Sequence, residues 1–218
     1  MAIDHKRFPR VLGRCSELAG QTGTPSIVKQ VYNDKLKDAS DTYITTNAAL
    51  RTATGSVAKE GTEAAKALNA VDQPYRVARS TVMAYLPHVV VPETLKALGT
   101  DTDKMDAIET LLDVLDENNT AKWAADLLAG EFGSTGAHAV KELSEAIEAN
   151  KTFAAARTAR MQAYGPAYEQ YTAFKRVVRD ACGPSSVEYR RIHLRGAAGE
   201  PEDPAPPVPP EPPTPPTP

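Results

Sequence analysis

The residues best placed to do chemistry are arginines near the C-terminal end of the chain. Arg176, Arg179, Arg190, Arg191 and Arg195 lie close in sequence, with Tyr189 and His193 among them. Guanidinium groups grip phosphates and carboxylates through forked hydrogen bonds, so this cluster suits an anion or a nucleic-acid phosphate. Residues 157–195 carry eight bases and three acids, whereas residues 93–148 carry 13 acids and four bases. The competing outcome is internal neutralisation, with the basic arm facing the acidic middle. A net charge of -3 and a pI near 5.9 favour neutralisation and speak against nucleic acid as the partner.

Other chemistry-bearing residues lack the spacing their chemistry needs. Asp101, Asp103, Asp106, Glu109 and Asp113 resemble a calcium loop only in composition, because the sixth position must be glycine and Asp106 stands there. Their simpler role is to offset a helix dipole at its N-terminal end. His138 and Glu142 sit four apart and share a helix face, but di-metal bundles need two Glu-x-x-His motifs, which this chain lacks. The pair reads as a surface pair. His5, His88 and His193 show no ligand spacing. Cys15 and Cys182 have no flanking signature of a catalytic thiol, and neither the phosphate-binding G-x-x-x-x-G-K-[ST] loop nor a G-x-G-x-x-G turn occurs. The sequence therefore offers no catalytic, cofactor-binding or metal-binding residues, and the expectation is a non-enzymatic protein without a cofactor.

The elements that must position these groups read as helices. Thirty-four alanines and an aromatic content of 6% favour closely packed helices over a sheet. Residues 1–23 form at most a short, glycine-weakened helix. Thr24-Pro25 reads as an N-cap and first helical position. From there Leu36, Tyr43, Leu50, Val57, Ala64 and Val71 recur every seven residues, a stripe that needs another helix against it. Gly55 and Gly61 are the places where this arm could break. Asp72 and Pro74 signal a second helix ending before Pro87. His88–Val91 reads as an extended connector, and Pro92 begins a short helix. Thr102 caps a helix to about Glu117, Thr120 restarts one, and Gly133 to Gly136 is a loop. A last arm runs from about Ala137 to Cys182, with Gly165-Pro166 marking either a kink or a tight turn. Val187, Tyr189, Ile192 and Leu194 should return along the bundle.

The expected architecture is all-α: an elongated helical bundle over residues 1–195, with two long antiparallel arms and shorter middle helices. Residues 196–218 should form a disordered proline-rich tail, since eleven of the last 18 residues are proline. Its P-x-x-P windows, such as Pro204 to Pro207, suit an aromatic groove on a partner, or serve only as a spacer. No secretory signal is evident, and no apolar run approaches the ~20 residues that span a bilayer. A cytoplasmic protein with reduced thiols is expected, one that binds a protein partner or itself through its long helices. Nucleic-acid or anion binding by the arginine cluster from Arg176 to Arg195 is the alternative function.

Overall fold

The computed structural model describes residues 5–193. The proline-rich tail, Arg195 and Leu194 lie outside the described residues. Among the described residues there is no strand. The helices are α1 (Phe8–Gly20), α2 (Ser26–Val31), α3 (Lys37–Tyr85), α4 (Asp101–Glu117), α5 (Lys122–Ala129), α6 (Glu131–Cys182) and α7 (Val187–Ile192). A π-helical stretch, Tyr32–Leu36, joins α2 to α3, and a single 3-10 turn spans Leu95–Ala97. The described residues fall into two compact units: residues 5–34 with 172–193, and residues 35–171.

In the first unit, α1 forms despite its glycines because its apolar residues fall on one face. Phe8, Val11, Leu12, Cys15 and Leu18 are all buried. The Thr24 hydroxyl donates to the Leu18 carbonyl at 2.6 Å, so this threonine closes the end of α1. It does not cap the next helix, whose N-cap position is Pro25. Tyr32 meets Phe174 edge-on at 5.9 Å, and Val28 and Val178 are fully buried in the same unit. Helix α7 packs on α1 through buried Tyr189 and Ile192.

The second unit is organised around α3 and α6, which run antiparallel. Tyr43 meets Tyr164 at 5.9 Å, and Tyr75 meets Phe132 at 6.4 Å. Moving forward along α3 therefore means moving back along α6, over a ladder of roughly 48 Å at 1.5 Å rise per residue. The heptad stripe faces this seam: Leu36, Tyr43, Leu50, Ala64 and Val71 are buried and Val57 is half-buried. Each of the larger side chains contributes on the order of 1.5–3 kcal/mol when fully buried. Helices α4 and α5 cover only part of the pair, where Ile108, Leu111, Leu115 and Ala124 join Val71, Tyr75, Val82, Phe132, Ala139 and Leu143 in one apolar cluster.

Several boundaries differ from the sequence reading, and the choice left open at Gly165-Pro166 is resolved. Helix α3 continues through Gly55, Gly61 and Pro74 to Tyr85, so Asp72-Pro74 opens no new helix. The carbonyl that Pro74 leaves without a donor belongs to exposed Ala70, where solvent can satisfy it. Helix α6 likewise continues through Gly165-Pro166, and the residue four before Pro166 is exposed Gln162, so the site is not a turn. Gly133 and Gly136 lie inside the first turns of α6 and not in a loop; Gly136 is buried beneath α4. The capping reading of α4 shifts by two residues. Thr100 accepts from the Asp103 N–H at 3.1 Å, and the Thr100 N–H donates to Asp103 at 3.3 Å. The connector after α3 is held as expected, by the Tyr75 hydroxyl donating to the Pro92 carbonyl at 2.8 Å and Arg79 donating to the Val91 carbonyl at 3.2 Å.

Candidate functional site

The described arginines of the cluster all belong to the first unit. Arg176 and Arg179 lie on the last turns of α6, and Arg190 and Arg191 lie on α7. Arg179 donates to Asp180 at 3.0 Å. Arg190 donates to the carbonyls of Ser185 and Ser186 at 2.6 and 3.4 Å, which fixes its guanidinium without cancelling its charge. Arg191 pairs with Glu17 of α1 at 2.5 Å. Lys175 stands 5.9 Å from the Tyr189 ring centroid, and that ring meets His193 edge-on.

The fold adds residues that sequence reasoning left aside. Arg14 of α1 donates to the Arg191 carbonyl at 3.3 Å, so α1 brings its own arginines beside α7. Arg7, Arg10 and Arg14 are exposed, at spacings of three and four, in a stripe beside the buried face, with Arg7 at the N-cap position of α1. Over its described residues the first unit holds ten lysines and arginines against four acids, and the second holds fourteen against nineteen. The signal was present in the basic N-terminal stretch. Its partner lay more than 170 residues away, and only the fold joins them.

The environment of both thiols disfavours ionisation. Both are free; Cys15 is buried and Cys182 half-buried. Burial pushes the Cys15 thiol far above its ordinary range, outweighing a hydrogen bond to backbone that lowers it. Cys182 is also raised, by desolvation first and by the nearby Glu188 second. These shifts disfavour the thiolate a nucleophile requires.

The second unit contains a carboxylate cluster. Glu60 and Glu63 of α3 and Glu142 of α6 place carboxylate oxygens within 4.8 Å of one another. The expected surface pair is a surface pair only at His138, which is 61% exposed, while Glu142 is 8% exposed and 3.6 Å from the His138 Nδ1. Glu142 is inward because it shares a helix face with buried Ala139, Ala146 and Ala149. Two lysines offset the cluster. Lys59 reaches Glu60 and Glu63 at 3.0 and 3.3 Å, and Lys141 reaches Glu142 and Glu145 at 3.3 and 3.4 Å. These hydrogen bonds, with the carboxylate charges behind them, hold both ammonium groups above their ordinary range. Three carboxylates from two helices are donors a hard cation accepts, but the lysines already supply positive charge there. Sequence reading missed Glu60 and Glu63; the clue was that Glu60 falls on the seam side of the heptad.

An open groove of about 510 Å³ runs along the α3–α6 pair, lined by Ala39, Thr42, Thr46, Ala159, Ala163 and Pro166 among others. On α6 it lies where burial is sparse, while on α3 it flanks buried Ser40, Tyr43 and Asn47. No residue is buried between Ala53 and Ala64 on α3, or between Ala149 and Ala167 on α6. No described helix is long and apolar enough to cross a membrane. Comparison with protein-family models, with curated proteins and with solved structures finds no match to this chain.

Proposed function

We propose that this chain is a non-enzymatic, cytoplasmic interaction protein that self-associates through the thinly covered stretch of its long helices. The observation that carries the reading is the contrast along α3 and α6. Where α4 and α5 lie over them, the seam is densely buried; beyond Ala149, α6 carries no buried residue before Ala167 and shows half-buried Phe153 and Ala156 and Met161 60% exposed, while α3 still buries Ser40, Tyr43, Asn47, Leu50 and Ala53. Helices owe most of their stability to tertiary packing, so two long helices without a third layer are completed by a further pair. The groove of alanines and threonines lets another helix backbone approach closely. The occupant that fits is a second copy. Residues 37–63 and 145–171 carry six bases and seven acids, so like copies meet without net repulsion. The heptad stripe itself is spent within the chain, against α6, so the association uses the flanks of the pair. Amide hydrogen exchange at low and high protein concentration tests this. Protection should rise with concentration across residues 150–166; concentration-independent exchange there would remove the support.

A further inference from the structure

We infer that the first unit carries a second, separate binding surface, for the phosphate backbone of double-stranded nucleic acid, centred on Arg7, Arg10, Arg14, Arg190 and Arg191. The inference stands apart from self-association, since all of these residues belong to the other unit.

The geometry is a row with an added pair. Arg7, Arg10, Arg14 and Glu17 follow at spacings of three, four and three along one exposed face of α1. At 1.5 Å rise per residue their steps are roughly 4.5, 6 and 4.5 Å, short enough for several side chains to reach successive phosphates of one strand. The Arg14–Arg191 hydrogen bond sets α7 beside the row. Glu17 is the one acid in this line, and it is tied to Arg191. Arg190 is anchored on backbone carbonyls and keeps its charge. Seven of the unit's ten described bases are arginine, the residue whose planar fork matches phosphate. The whole-chain pI near 5.9 argued against such a partner. It averages a basic unit with an acidic one, and a binding surface responds to its local field.

Two observations choose among polyanions. The aromatic rings of the unit's described residues, Phe8, Tyr32, Phe174 and Tyr189, are all buried, so no exposed stack of rings awaits unpaired bases. The apolar face of α1 is also consumed in the core. Ile27 and Val187 are exposed on different helices, too little to seat the unit in a lipid surface.

The test is fluorescence anisotropy of the full chain with a labelled mixed-sequence DNA duplex of about 24 base pairs, titrated from about 50 to 250 mM salt. Binding should be sequence-independent and micromolar at low salt, and log K should fall against log salt with a slope near about -4, as for four to five neutralised phosphates. Arg10→Gln should weaken binding several-fold and reduce that slope by about one, and Arg7→Gln with Arg10→Gln by about two. Glu17→Gln should tighten binding, a gain that a misfolded variant would not produce. Absence of binding at low salt would overturn the inference. So would an equal loss from Arg51→Gln in the other unit, or a preference for phosphatidylserine vesicles or single-stranded DNA over the duplex.

Discussion

Gly133 and Gly136 should respond in opposite directions to the same substitution. Helix α6 starts at Glu131, directly after Gly130 ends α5, so the two helices meet almost without a linker. A Cβ added at Gly133 would fall inside the van der Waals radius of the Leu128 carbonyl, a backbone group that cannot swing aside. Gly133→Ala must therefore push α5 off the start of α6 and loosen Trp123, Leu127 and Leu128 against the core. Overpacking of this kind costs about 1–3 kcal/mol, with displaced backbone at the upper end. The gain of about 1 kcal/mol from replacing a helical glycine offsets part of it. A Cβ at Gly136 would instead meet Ile108, Leu112 and Phe132 at 3.5 Å, ordinary contact. Gly136→Ala should gain about 1 kcal/mol of helix propensity and up to about 0.8 kcal/mol for a buried methyl. With about 2–4 °C per kcal/mol for a chain of this size, Gly133→Ala should lower Tm by several degrees and Gly136→Ala should raise it. Thermal melts followed by far-ultraviolet circular dichroism read both. A Gly133→Ala protein as stable as the parent would refute the close approach of α5 to α6.

Cys15 supplies a pH prediction: the unfolded thiol ionises above its ordinary value of 9.0 while the folded one stays protonated, so its contribution is present below that pH and is lost as pH rises beyond it. Stability should fall there by up to about 1.4 kcal/mol per pH unit from this group, and Cys15→Ala should flatten the slope in urea titrations. In native protein a thiol reagent should modify Cys182 well before Cys15. Tyr75→Phe should cost about 1–2 kcal/mol, because the Pro92 carbonyl loses its donor, and proteolysis of the connector after α3 should speed up. Thr100→Ala removes one half of the α4 capping box and should cost about 1 kcal/mol in chemical denaturation.

Helical class and the antiparallel long helices were legible because seven-residue spacing is a direct image of one buried face. Leu36, Tyr43, Leu50, Ala64 and Val71 occupy that face in the fold. Pro74 and the glycines at 133 and 136 misled because they are local signals, and Gly165-Pro166 left a kink and a turn open for the same reason. Each is tolerated for a tertiary reason: an exposed residue four positions earlier for the prolines, a neighbouring helix lying over the glycines. The site residues split in the same way. The arginines of α6 and α7 could be named from sequence. Arg7, Arg10 and Arg14 join them only through packing of α1 on α7, and Glu60 and Glu63 meet Glu142 only through the register of α3 on α6. Residues that far apart in sequence leave no local trace of their contact.

Self-association through the open stretch of α3 and α6 is tested most directly by sedimentation velocity across a concentration series, on the parent chain and on Ala159→Arg. The account expects the parent to sediment at twice its 23.4 kDa chain mass as concentration rises, and the variant, its groove filled by a charged side chain, to remain a single chain with unchanged helicity. A parent that stays at one chain mass at every concentration, or a variant that associates as strongly as the parent, would contradict it.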